Sequence, residues 1–267
     1  YIWMLVGRRV VHVISRWTSL GPPPAAPPTP GSFSHRYDTF MSKYPRMLAL
    51  HRRVVNGSRW CVMDVKQLWA LRRVDLHKES EIDKLTIPQL ETLIQARVEI
   101  PKVTAIIVML PLPLTLYVIG MAVIFFPRVV LTRHFWTREQ REEFFLSDIK
   151  RSVESAKSLA FSTLPPTFEE LTQAQKSELS KLYGGILPWT STKLRERYLL
   201  TRNIDGRLDV VSLTRDQLLF HLFIRRVVYH EDDDDDSLRR RLHRVIEEAR
   251  TCSSSPVEYL TASLRSQ

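Results

Sequence analysis

From Val103 to Phe126 the chain carries 24 consecutive residues without a charged side chain or a histidine. As α-helix such a run is about 36 Å long at roughly 1.5 Å per residue, enough to cross a hydrocarbon core of about 30 Å. The competing reading is a buried core helix, but a soluble helix of this length ordinarily shows a polar stripe. The sequence therefore predicts one transmembrane helix, bounded at residues 101–127. Pro111, Pro113 and Gly120 lie inside it and predict a kink. A bilayer tolerates one when side chains such as Thr115 and Tyr117 satisfy the carbonyls that a proline leaves without a donor.

The flanking charge orients the segment. Arg97 and Lys102 fall in the fifteen residues before Val103, and Arg128, Arg133, Arg138 and Arg141 in the fifteen from Pro127. Four cations against two place the C-terminal side in the compartment that attracts positive charge. Arg128, Arg133, His134 and Trp136 are the residues expected at the membrane interface.

Upstream, the chain opens with Tyr1 and carries no acid before Asp38, while Arg8, Arg9, Arg16 and Arg36 stand among apolar residues and serines. Residues 1–34 read equally as an organelle transit peptide or as sequence ahead of the protein proper. Gly21 to Gly31 is proline-rich and reads as a linker. Residues 35–100 form an amphipathic helical region. Tyr37, Phe40, Met41, Tyr44, Met47, Leu48 and Val54 recur at helical steps, with Pro45 expected to break or kink the stretch. A second helix is expected from about Trp60 to Leu76. Thr86 followed by Pro88 marks another start.

Downstream, residues 128–267 read as an all-helical domain. Arg138 to Leu159 is charged and amphipathic, with Phe144, Phe145, Ile149 and Val153 on one side. Shorter helices are expected over Phe168–Tyr183, Thr192–Leu200, Thr214–Tyr229 and Ser237–Ala249. Turns at Pro165-Pro166, Gly184-Gly185, Asp205-Gly206 and the acidic run separate them.

The net charge of +10 and the pI near 9.8 point to an anionic partner, nucleic acid, ribosome or lipid, or to a basic compartment. The basic cluster Arg239-Arg240-Arg241, with Arg225 and Arg226 near it, is the candidate ribosome- or lipid-binding site; its competing reading is a solvated face neutralised by the acidic loop. Glu231 to Asp236 lacks the alternation, the glycine and the far glutamate of a calcium loop, so it reads as a solvated loop with Asp236 or Ser237 capping the next helix. Two distant cysteines make no disulfide framework or zinc site. No spacing of His, Cys, Ser or acid marks a catalytic or metal centre, and no phosphate or dinucleotide loop occurs. No cofactor, small-molecule substrate or enzymatic activity is expected; a homo-oligomer stays open.

The stretch Phe125 to Trp136, F-F-P-R-V-V-L-T-R-H-F-W, resembles the LETM family (leucine zipper–EF-hand-containing transmembrane proteins), in particular its LETM-domain-containing branch without EF-hands. Tyr44-Pro45-Arg46 and the helix around Trp69 are also similar to that branch. So are Leu187-Pro188 with Leu194 and Arg195, Leu213-Thr214 with Leu218 and Arg225, and Leu238-Arg239 with Leu242 and Ile246. Where the family favours a glycine after the arginine this chain has Arg226, and the family's tryptophan position is Val245. A left-handed cap there would cost about 1 kcal/mol without glycine, so that helix end is expected to be built differently. The resemblance implies a mitochondrial inner-membrane anchor and a matrix domain of 14-3-3-like helical fold that binds ribosomes. It thus implies an adaptor for mitochondrial ribosomes or respiratory-chain assembly factors. The alternative it carries is potassium/proton or calcium/proton exchange. Leu116 and Ile124 stand where the exchanger branch has a charged pair, so the span lacks a titratable ligand.

Overall fold

A computed structural model describes residues 29–95, 99, 104, 121, 125, 132–157, 159, 164–185, 188–252 and 255–265. The N-terminal segment, Arg128 and nearly all of the predicted span lie outside them. The described residues are helical and contain no strand, and among them no helix is long and apolar enough to cross a membrane. The chain divides into two compact units. One comprises Tyr1–Arg72 with Ile106–Trp136, the other Arg73–Ala105 with Thr137–Gln267. Neither follows the expected blocks 35–100 and 128–267, because each draws on residues before and after the uncharged segment.

In the first unit α1 spans Phe33–Met41 and α2 spans Pro45–Leu71. The stretch is broken as expected, between Met41 and Pro45, and Pro45 itself begins the second helix, at a position whose N–H has no intrahelical acceptor. The helix expected from Trp60 is therefore the second half of one 27-residue element. The face that predicted it is also not the one it buries, since Phe40, Tyr44, Met47 and Val54 are all about half exposed or more. Instead Gly57, Trp60, Gln67 and Leu71 turn inward, and Gly57 and Trp60 meet the 3-10 turn Arg133–Phe135. Gly57 permits that approach: a Cβ there would lie 2.6 Å from the Phe135 ring and 2.7 Å from the His134 carbonyl oxygen. Glycine inside a helix costs about 0.5–1 kcal/mol relative to alanine, so the close contact explains its presence.

The second unit begins with α3, Glu79–Ile82, and a helical stretch over 87–95. The expected start at Thr86 holds, its N–H donating to Gln89 Oε1 at 2.9 Å. Ile82, Leu85, Leu90 and Ile94 are buried. After the uncharged segment come α4 (Arg138–Ser155), α5 (Gln173–Leu182), α6 (Ser191–Arg207), α7 (Arg215–Arg225), α8 (Asp235–Thr251) and α9 (Pro256–Arg265). Threonine capping boxes start α4, α5 and α7, each satisfying backbone donors that the first turn leaves open. As expected, Phe144, Phe145 and Ile149 of α4 face the core, where Phe145 stacks on Phe223 at 4.3 Å. The helix expected from Phe168 begins only at Gln173, with Phe168 buried in the connection before it. The turn expected at Asp205-Gly206 is instead the last turn of α6, and α9 was not anticipated.

The end of α7 overturns another expectation. Arg226 adopts φ 58° and ψ 37°, the left-handed cap that glycine normally supplies. Its N–H donates to the Phe223 carbonyl and that of Val227 to Leu222, at 3.1 and 3.0 Å. This is the paired closure of a Schellman motif, completed by buried Leu222 and Val227. The side chain lies over the Phe223 ring at 4.4 Å. Burial lowers the Arg226 guanidinium to about 10, with the nearby Asp148 charge opposing the shift. Arg226→Gly is therefore expected to be about 1 kcal/mol more stable than Arg226→Ala, because both delete the same side chain and differ only in backbone strain. Chemical denaturation of the two variants measures the difference.

Candidate functional site

The five arginines expected to form one binding cluster are divided between interior and surface. Arg225 and Arg226 are 5% and 4% exposed and are not available to an outside anion. Arg225 extends from the last turn of α7 to Asp205 near the end of α6, which it meets through Nε at 3.0 Å and through Nη2. The same carboxylate accepts from the Tyr259 hydroxyl of α9. Burial first, and the Asp205 charge next, raise the Tyr259 phenol, so that it remains a donor.

A second layer sits beside this pair. Arg225 Nη1 donates to the His221 carbonyl at 2.9 Å and lies 3.3 Å from Nδ1 of the same residue. Because a guanidinium only donates, Nδ1 accepts, which leaves the imidazole proton on Nε2, 3.2 Å from Glu91 Oε1. Burial lowers the His221 pKa despite the Glu91 hydrogen bond, consistent with a neutral ring. The arginine fits the core because donors and acceptors converge from the 87–95 stretch, α6, α7 and α9.

On α8 the remaining three part company as well. Arg239 donates to Asp236 at 2.9 Å and to the Leu213 carbonyl at 3.2 Å. Arg241 pairs with Asp233 at 3.1 Å, and Arg215 of α7 with Asp235 at 3.2 Å. The acidic run is therefore in part a set of counter-charges, as the competing reading of the cluster held. Its capping residue is Asp234, which accepts from the Ser237 N–H at 3.0 Å, rather than Asp236 or Ser237. The hydrogen bond from the Ser237 side chain first, and that backbone contact next, hold the Asp234 carboxyl below its usual range.

Arg240 alone of the five is exposed, with one guanidinium nitrogen 2.9 Å from Ser237 Oγ. Exposed His243 and Arg244 lie three and four residues on, on the same face of α8. Arg244 escaped the sequence reading, although its four-residue spacing from Arg240 was the available signal. Arg240 and Arg244, with His243 beside them, thus form an outward basic face of α8.

The residues expected at the membrane interface lie differently too. Arg133 and His134 are 2% and 7% exposed and turn towards Asp64 of α2. Their nitrogens approach one Asp64 oxygen at 2.5 and 3.1 Å, and Thr132 Oγ1 holds the other side of the imidazole at 2.8 Å. Burial alone would raise the Asp64 carboxyl, but the Arg133 charge and the His134 hydrogen bond outweigh it and hold it below 3.8. The pair is thus engaged by its own counter-ion rather than presented to headgroups. Trp136 is half-buried.

Comparison with known proteins places this arrangement. The family model described as "LETM1-like, RBD" matches residues 85–257, on both sides of the uncharged segment. The chain is 30% identical over 112 residues to the LETM1 domain-containing protein 1 of Xenopus tropicalis. That stretch covers 42% of this chain and 32% of the relative, so the match spans about a third of the relative's length. No solved structure matches. With more than half of its length matched, the chain belongs to the LETM1-like, RBD family.

Proposed function

We propose that the protein is anchored in the mitochondrial inner membrane and acts as an adaptor, its helical unit binding the mitochondrial ribosome from the matrix side. The observation that carries this reading is the outward face of α8, where Arg240, His243 and Arg244 stand exposed while neighbouring arginines are neutralised. Family membership supplies the kind of partner. Respiratory-chain assembly factors are the second class of partner, and anionic inner-membrane lipid the competing surface for the same cations. Phosphate-rich RNA suits such a face, because each neutralised phosphate releases counter-ions and makes binding salt-dependent. Cation/proton exchange ranks lower. Coupling to a proton needs a ligand that titrates near neutral pH, and Val103–Phe126 offers only Tyr117, whose reference pKa is about 10.

The test is co-sedimentation of the reconstituted full chain with mitochondrial ribosomes across a salt series. Replacing Arg240 and Arg244 with alanine is expected to weaken binding and reduce the slope of log affinity against log salt by about one to two. An unchanged slope would remove this face from the interface. Loss of binding to cardiolipin vesicles, with ribosome binding intact, would assign the face to lipid.

A further inference from the structure

We propose that both flanks of the uncharged segment face the same compartment, so that the segment does not separate the N-terminal helices from the C-terminal domain. The inference rests on the reading of Val103–Phe126 as the membrane anchor, and it revises the single crossing that its length alone predicts.

Two sets of contacts, one within each unit, lead to it. In the first unit, Asp64 of α2 precedes the segment and Arg133 and His134 follow it. They meet at 2.5 and 3.1 Å, with Arg133 and His134 almost wholly buried. Gly57 of the same helix is closed over by the Phe135 ring and the His134 carbonyl. In the second unit, Glu91 precedes the segment and His221 follows it by almost a hundred residues. They are 3.2 Å apart, with side chains 7% and 1% exposed. Around them Arg207 donates to the Leu85 carbonyl at 2.7 Å, Arg202 pairs with Glu79 at 3.0 Å, and Asn203 meets Asp83.

These contacts cannot form across a bilayer. An N-terminal flank on the opposite face would withdraw Ile82, Leu85, Leu90 and Ile94 from the core in which they are buried. It would also take Asp64 away from the buried Arg133. Pro111 and Pro113, near the middle of the segment, are residues at which a helix readily bends.

Cysteine labelling offers the test, because native Cys252 follows the segment and new cysteines can be placed before it. Three single-cysteine full-length chains are made: one keeps Cys252 with Cys61→Ser. The others carry Ser58→Cys or Lys84→Cys, at exposed positions before the segment, with both native cysteines changed to serine. Each is expressed in mitochondria and treated in mitoplasts with a membrane-impermeant maleimide, then again after detergent lysis. All three are expected to be protected in mitoplasts and labelled on lysis. Labelling of all three in mitoplasts would sink the matrix orientation of the proposed adaptor while upholding the shared face. Labelling of Ser58→Cys or Lys84→Cys in mitoplasts with Cys252 protected, or the reverse, would overturn the inference.

Discussion

Replacing Asp205 with alanine is expected to destabilise the second unit by about 3–5 kcal/mol, the usual cost of stranding a buried charge. Arg225 would remain 5% exposed with no carboxylate, and Tyr259 would lose the acceptor of its hydroxyl. Domains are stable by only about 5–15 kcal/mol, so this loss approaches the whole margin. Asp205→Asn keeps the shape and one acceptor, and is expected to lose about 1.5–3 kcal/mol, the worth of a charge-assisted hydrogen bond. Denaturant titration of the two variants separates the cases. Equal and small losses would mean that Arg225 finds water or another acceptor.

A loss of similar size, confined to the other unit, is expected from Asp64→Ala. It leaves Arg133, 2% exposed, facing His134 without the shared oxygen that both approach. About 3–5 kcal/mol is again the expected scale. The change should appear in hydrogen exchange as lost protection of α2 amides from Gly57 to Leu71, while amides of α7 keep theirs. Equal loss of protection in both helices would show that the units unfold as one.

What could be read from the chain in advance depended on the range of the interaction. Phe144, Phe145 and Ile149 repeat at helical spacing within a single element, and their burial followed. The capping boxes at Thr137, Thr172 and Thr214 are four-residue patterns that start their helices, a local signal that the reading of the sequence did not use. Arg225 fared differently, because its counter-ion lies twenty residues away on another helix. Nothing in the one-dimensional pattern separates an arginine with a buried partner from one facing water. Arg239 and Arg241 lie between these cases, their acids being only three and eight residues away. Pro45 breaks the stretch as expected, by beginning a second helix. The Arg226 expectation failed because the hydrogen bonds and apolar contact of the cap outweigh about 1 kcal/mol of backbone strain. The cationic face that survives was half visible, in Arg240, and half missed, in Arg244.

The second unit's division around the uncharged segment also sets a timetable for folding. Arg207 and Leu85 are 122 residues apart, and Arg202 and Glu79 are 123 apart. Closing so long a loop costs little more free energy than closing a shorter one, because the penalty grows only with the logarithm of length. The delay is another matter. At synthesis rates of about 5–20 residues per second, Ile82, Leu85, Leu90 and Ile94 wait on the order of ten seconds for α6 and α7 to emerge. During that interval this cluster of aliphatic side chains stands without the helices that cover it in the folded unit.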